Sequence, residues 1–464
     1  MKKLIQSSSF LLSAIFLLAF LLRVFHLSHE SIWLDEGISI AMAKLSVSDM
    51  FNKLLVDSMP PLHYLLLHYW ITVFGDGEFS VRFLSLLFSM ATIAFSYLLA
   101  KKLFNEKVAL WLAFFLAVSV FHIEYAQETR NYSMIAFFSV SSLYFLVRWK
   151  EKHSLWNILF FVLSCLLLLY THILGVFWVM AFNLYFVLSK YWWKETSQIS
   201  LKTWVGSQLV ILLFFAPWIK IFFAQSASWN QNSWMPLPSL RDILATSTTY
   251  AGSYFLLLIF GILFLKSLDT FKENKSRFIF TTFFLIIPTL LLLLSCFLLD
   301  SIYLQKYTIA SSLFFFILSA LGMERYRDGK IQRWILICFL FATAIKLYDY
   351  YSVSRKEQWR QAVEHVEERA VSGDVVLVDA GYCIKNAYEY YAKRKDVKVQ
   401  PLVRITEELN EQNIEQLDEW SGNEIWLVLS HSRDAKGLVK KKIARSFKVL
   451  EHQVYLGVEV YKLK

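Results

Sequence analysis

The run FIFTTFFLIIPTLLLLLSCFLL, residues 278–299, contains no charged side chain and is long enough to cross a bilayer as one helix. A spanning helix needs about 20 predominantly apolar residues, because each residue advances the chain by about 1.5 Å. Outward from this run, similar ones recur near residues 10–27, 83–100, 108–121, 133–147, 155–170, 173–189, 204–223, 254–268, 307–322 and 334–350. Some, such as 108–121, must borrow flanking residues to complete a crossing. The pattern predicts an α-helical polytopic membrane protein with about 11 transmembrane helices. Composition agrees: 56% of residues are hydrophobic, 18% are charged and the mean hydropathy is +0.45, so the bilayer is the solvent. Recurrence of the runs excludes a single anchor or a cleaved signal peptide alone.

The net charge of +10 follows from topology before any ligand is considered, and nucleic-acid binding is excluded as its explanation. Basic clusters at Lys2–Lys3, Lys101–Lys107, Arg148–Lys152, Lys190–Lys202, Lys266–Arg277 and Arg325–Arg333 occupy every second junction. That side is expected to be cytoplasmic, with the N-terminus inside and, for an odd number of spans, the C-terminus outside. The four cysteines, Cys165, Cys296, Cys338 and Cys383, show no metal-ligand spacing and imply no disulfide.

From about Ser352 the chain turns polar. Short apolar runs, Val375–Val378 and Ile425–Leu429, read as buried strands, and stretches 356–371 and 384–394 read as helices. The expected division is a membrane domain over 1–351, with a first outer loop at 28–82, and a small C-terminal α/β domain over 352–464, extracytoplasmic by the charge rule.

Ionisable residues gather in the junctions opposite the basic clusters. The first outer segment carries Asp35-Glu36, followed by Pro60-Pro61-Leu62-His63-Tyr64; Arg82 enters the second span. Between the third and fourth runs stand His122, Glu124, Glu128, Arg130 and Tyr132. Thr171-His172 occupies a short outer turn, and Lys306-Tyr307 opens the tenth run. Each has an innocuous reading taken alone: an acid pair at a helix start, a snorkelling arginine, a structural ion pair, a packed histidine, a headgroup lysine. Their shared membrane depth argues for use, because charge within a hydrophobic protein is costly to keep. Residues 225–253, with Trp229, Trp234, Pro236 and Pro238, suit either an interfacial lid or an aromatic belt.

Asp35-Glu36, the Pro-Pro-Leu-His-Tyr run, Arg82 in Ser-Val-Arg-Phe-Leu-Ser, Tyr125–Tyr132, Tyr170–Gly175, Ala216-Pro217-Trp218 and Lys306-Tyr307 together resemble the ordered motifs of GT-C integral-membrane glycosyltransferases. The likeness is to the branch of protein O-mannosyltransferases, dolichyl-phosphate-mannose-dependent enzymes, and the aminoarabinose transferases of lipid A, and it covers about residues 28–322. It implies transfer of a sugar from a polyprenyl-phosphate donor to a lipid, glycan or protein acceptor on the outer face, with inversion. It maps the acceptor-side acid onto Asp35 with Glu36 beside it. Arg82, Arg130, Lys306 and Tyr307 match the donor-phosphate ligands, and His63, Tyr64, Glu124, Glu128 and His172 are the remaining substrate-binding candidates. The chemistry needs those types, because the sugar ring gains positive charge as the phosphate leaves with negative charge.

Two departures stand out. Met59 replaces a histidine of many relatives and does not suit a hard cation, so no metal ligand is assigned, although Glu124 and Glu128 keep a divalent cation open. Lys306 replaces a common arginine, keeping the charge without the bidentate fork. The rival reading is a transporter or flippase of lipid-linked sugars, which places its polar site near the bilayer midplane. A membrane scaffold displaying its C-terminal domain leaves the loop charges unexplained.

Overall fold

Each of the eleven apolar runs centres on a helix in the computed structural model, which describes residues 2–55, 59–232, 237–298, 301–403, 415–430 and 437–464. The helices are α1 (Lys2–Val24), α2 (Leu34–Ala43), α3 (Val47–Leu54), α4 (Leu62–Phe74), α5 (Glu78–Leu103), α6 (Glu106–Val118), α7 (Val120–Ala126), α8 (Tyr132–Glu151) and α9 (Leu155–Thr171). They continue with α10 (Gly175–Val187), α11 (Leu201–Asn232), α12 (Leu240–Ala251), α13 (Tyr254–Ser267), α14 (Asp269–Glu273), α15 (Lys275–Leu298), α16 (Ile309–Arg325), α17 (Gly329–Ser352) and α18 (Trp359–Arg369).

Among the described residues six helices are long and apolar enough to cross a membrane, or seven if the bent pair α6–α7 is one span. The expectation of about eleven spans is not matched by that count. α9 has 17 residues, and α10 runs on from Gly175–Val187 directly into a π-helical turn, Leu188–Trp192.

The contacts divide the chain into two units. The first comprises Met1–Phe25, Ser46–Trp70 and Arg82–Tyr351; the second comprises His26–Leu45, Ile71–Val81 and Ser352–Lys464. The second unit thus takes up α2 and part of the first outer segment together with the residues from Ser352 onward.

In the first unit α16 is buried almost throughout, from Ile309 to Phe314 and from Phe316 to Met323. It packs against α13 so closely that a Cβ on Gly322 would lie 1.8 Å from the Leu263 carbonyl oxygen. A second fixed point is Arg23, fully buried in α1. Its Nε donates to Ser89 Oγ at 2.8 Å, and its Nη atoms donate to the carbonyls of Ala19, Leu116 and Ala117 at 3.0–3.1 Å. The chain bends by 61° between α6 and α7, where helical bonding stops and the carbonyls of the last turn need other donors. Arg23 supplies them. Gln127 donates to the Arg23 and Phe25 carbonyls, and Tyr350 donates to Gln127 Oε1, so α17 is tied into the same joint.

The second unit contains a five-stranded sheet: β1 (Val375–Ala380), β2 (Lys398–Val403), β3 (Ile425–Leu429), β4 (Val449–Tyr455) and β5 (Val458–Leu463). The order is β2-β1-β3-β5-β4. β1 runs parallel to β2 and β3, and β5 pairs antiparallel with β3 and β4. Val376, Val378, Trp426 and Val428 face one core with Trp359, Val363 and Tyr388, while Leu377, Leu427 and Leu429 face the other with Val439 and Ile443. Helices cover both faces, which is why β1 and β3 read as continuous apolar runs.

Candidate functional site

In the first unit the turn between α7 and α8 is polar and yet buried. Gln127, Glu128, Thr129, Arg130 and Asn131 are each less than a tenth exposed. Such a turn persists only if its groups are bonded. Asn131 Nδ2 donates to the Thr171 carbonyl at 2.9 Å, Ser133 Oγ donates to the Tyr125 carbonyl at 2.9 Å, and Ser85 Oγ donates to the Arg130 carbonyl at 3.2 Å. The ends of α5, α7, α8 and α9 are thereby joined around Arg130.

Tyr132, at the first position of α8, forms the floor of a cationic cluster. The Lys306 ammonium lies 5.2 Å and the Arg130 guanidinium 6.0 Å from the centre of its ring. Tyr307 and Tyr125 pack against the same ring at 6.2 and 5.0 Å, and His172 meets Tyr307 at 5.3 Å. The segment that carries Lys306 and Tyr307 is a 3₁₀ turn, Gln305–Thr308, braced by α12: Thr249 Oγ1 donates to Gln305 Oε1 at 2.8 Å, and Tyr250 Oη donates to the Thr308 carbonyl at 3.0 Å. α12 occupies the C-terminal part of the segment for which a lid or belt was expected; Trp234 and Pro236 lie outside the described residues.

Arg130, Lys306, Tyr307 and His172 are therefore brought together from three separated stretches of sequence. Arg82 is buried within α5, His63 and Tyr64 are buried at the start of α4, Glu128 is buried, and Glu124 is half-buried on α7. The charge of Arg130 acts on the rings of both His63 and His172, and those of Glu124 and Glu128 act on Tyr125. His122 pairs with Ser312 of α16 at 2.9 Å and serves packing. Among the described residues no three His, Cys, Asp or Glu side chains converge as a metal site. Tyr132 was named in the sequence with the ionisable residues of this stretch but given no role; its signal is its position two residues after Arg130 at a helix start.

In the second unit Asp35 and Glu36 form the first turn of α2, where carboxylates favour the positive end of the helix dipole. The two differ sharply. Asp35 is half-exposed, whereas Glu36 is fully buried and its Oε2 lies 3.1 Å from Lys356 Nζ. Glu78 accepts from Arg360 and Tyr391, and burial first, then the Glu78 carboxylate, raises the Tyr391 phenol above its ordinary pKa. Arg360 also donates to the Ser28 and His29 carbonyls, at 3.1 and 3.3 Å.

A family model described as dolichyl-phosphate-mannose-protein mannosyltransferase matches residues 58–221, the stretch that holds His63, Arg82, Glu124, Glu128, Arg130 and His172. The chain resembles the GT-C glycosyltransferases. Its fold is similar to that of ArnT from Cupriavidus metallidurans in the apo state, with a TM-score of 0.68 and 11% identity over 98% of both chains. The same protein bound to undecaprenyl phosphate gives a TM-score of 0.64 at 12% identity over 97% of both. The oligosaccharyltransferase AglB from Archaeoglobus fulgidus, in complex with an inhibitory peptide and a dolichol-phosphate, gives 0.56 at 12% identity, covering 91% of this chain and 69% of its own. No curated protein matches the chain in sequence. The GT-C-like fold expected from the motifs, a helical membrane part with a small C-terminal sheet domain, is thus the fold observed.

Proposed function

We propose that the chain is an inverting glycosyltransferase that moves a sugar from a polyprenyl-phosphate donor to an acceptor on the extracytoplasmic face. The observation that carries this reading is the cluster of Arg130 and Lys306 over the shared ring of Tyr132, flanked by Tyr307 and His172. Two cations held at one buried aromatic floor suit a dianionic phosphate, and their placement before the reaction means that little reorganisation is needed as charge develops. The relatives of this fold bound to undecaprenyl phosphate and dolichol-phosphate support the donor class.

In the proposed reaction the bond between the anomeric carbon and the phosphate oxygen breaks, and the electron pair leaves with the phosphate, stabilised by Arg130, Lys306, Arg82 and the Tyr307 hydroxyl. The acceptor oxygen or nitrogen attacks from the opposite face and gives its proton to Asp35. One displacement inverts the anomeric centre. His63, Tyr64, Glu124, Glu128 and His172 line the substrate side. The alternation of basic junctions supports about eleven crossings, a cytoplasmic N-terminus and an outer α/β domain.

The test is incubation of the purified protein in lipid with a panel of polyprenyl-phosphate sugars and membrane acceptors, reading release of free polyprenyl phosphate. Release by the wild type and its loss in Asp35→Asn, with membrane insertion preserved, is the expected result. No release with any donor overturns the reading in favour of a flippase.

A further inference from the structure

The start of α2 and the residues just before it are built into the α/β unit through five separate contacts. Leu34 belongs to the hydrophobic core formed by Trp359, Val376, Val378, Tyr388 and Trp426. The Leu34 amide donates to Glu357 Oε2 at 3.2 Å, and the Ile32 amide donates to the Tyr391 hydroxyl at 2.5 Å. Glu36 pairs with Lys356, the two side chains being 0% and 10% exposed. Gly37 approaches the helical stretch 384–388 so closely that a Cβ would lie 1.5 Å from the Asn386 carbonyl oxygen. That stretch follows the carboxyl end of β1, whose parallel partners β2 and β3 lie on opposite sides of it. In open α/β sheets this is the crevice that normally receives a ligand. Here helix α2 packs on it.

We infer that the α/β unit serves as the mount for the acceptor-side acid, and that Glu36 and Lys356 are positioning residues that act through Asp35. The inference rests on the reaction proposed above, and it assigns Glu36 a different place from its neighbour. A carboxylate buried against an ammonium contributes little as a proton acceptor for a substrate, whereas Asp35, one residue earlier in the same helical turn, is half-exposed. Consecutive helical residues point about 100° apart, so anchoring Glu36 and Gly37 to the α/β unit sets the direction of Asp35. A misplacement of about 1 Å at a reacting group lowers a rate by about 100-fold.

The test uses the full chain in lipid and compares wild type, Glu36→Gln, Lys356→Met, Lys356→Arg and the double variant Glu36→Gln/Lys356→Met. Two readouts are taken: kcat and donor KM for transfer, and amide exchange of peptides covering residues 34–43. Each neutralising single variant is expected to lower kcat about 10- to 100-fold with donor KM within about twofold, and to speed exchange at 34–43. Lys356→Arg is expected to keep most of kcat. The double variant, which removes both charges of the pair together, is expected to fold and to lose no more than the worse single. Loss of transfer in Glu36→Gln with unchanged kcat and exchange in Lys356→Met overturns the inference, because Glu36 then acts on the substrate itself. If the wild type transfers no sugar at all, the proposed reaction fails and exchange alone decides the mount: unchanged protection at 34–43 in both single variants overturns it.

Discussion

The ammonium of Lys306 stands 5.2 Å from the centre of the Tyr132 ring, above the same ring that the Arg130 guanidinium covers at 6.0 Å. Tyr132 belongs to the first turn of α8 and Lys306 to the turn before α16, so the pair joins two helix starts. A desolvated cation–π contact contributes about 2 kcal/mol, and two cations share this ring. Tyr132→Phe keeps the ring and is expected to bind polyprenyl phosphate within about twofold of wild type. Tyr132→Leu removes it and is expected to weaken binding about 10- to 30-fold. Titration of each purified variant with polyprenyl phosphate checks both; equal affinities would remove the ring from the donor site.

Much of this was legible beforehand. Each of the eleven long apolar runs centres on a helix, and the short runs Val375–Val378 and Ile425–Leu429 form the parallel strands β1 and β3, because burial on both faces writes itself as an unbroken apolar run. Arg130, Lys306, Tyr307 and His172, picked out by residue type, membrane depth and the family resemblance, lie together in the fold. The hairpin β4–β5 escaped, because β4 is an edge strand whose side chains are mostly exposed and carry no run to recognise. The Glu36–Lys356 pair escaped for another reason: the residues are 320 positions apart, and neither has a local pattern that points to the other. The resemblance already set Asp35 ahead of Glu36, and the packing of Glu36 against Lys356 and of Gly37 against Asn386 gives the physical difference between them.

Glycine positions offer a stability test within the helical unit. At Gly322 an added methyl group meets the Leu263 backbone at 1.8 Å, and backbone does not rotate away as a side chain does. Gly322→Ala is expected to destabilise by about 1–3 kcal/mol, the usual range for overpacking. Gly206, in the second turn of α11, has nothing within 4 Å of its would-be Cβ. Gly206→Ala is expected to be neutral or stabilising, since alanine is the better helix former. Thermal unfolding of both variants in one detergent checks the contrast; a similar midpoint for the two would contradict the close α13–α16 packing.

The α/β unit carries a pH-dependent contribution at Asp396. Its hydrogen bond to Arg394, whose Nη2 lies 2.5 Å away, holds the carboxyl down to about 2 from an ordinary 3.8. A carboxyl with a lowered folded pKa stabilises the fold above its unfolded pKa, and that contribution fades as pH falls toward the folded value. Unfolding midpoints of wild type and Asp396→Asn should therefore differ above about pH 4 and converge between pH 4 and 2. Arg394 also donates to the Glu367 carbonyl at 3.0 Å, a bond that survives protonation of Asp396 and keeps the turn in place during the titration. Parallel midpoints over the whole range would show that the pair carries no linkage.

Arg23 gives a prediction opposite in sign to the one hydropathy suggests. Within α1 it interrupts an apolar stretch, so Arg23→Leu makes the span more hydrophobic and, by composition alone, a better membrane helix. The structure opposes this, because the guanidinium bonds Ser89 Oγ and three carbonyls, two of them, Leu116 and Ala117, in the last turn before the 61° bend. Each buried carbonyl left without a donor costs about 1–3 kcal/mol. Arg23→Leu should insert normally and yet lose about 3–5 kcal/mol of stability, within the range for removing one partner of a buried charged network. Arg23→Lys retains the charge but, with a single nitrogen, reaches fewer of the four acceptors and should fall between the two. Membrane insertion by fractionation, measured together with thermal unfolding in detergent, separates the effects: insertion unchanged and unfolding lowered in the order Arg, Lys, Leu is the expected outcome, and a Leu variant as stable as wild type would mean that the broken helix does not depend on Arg23.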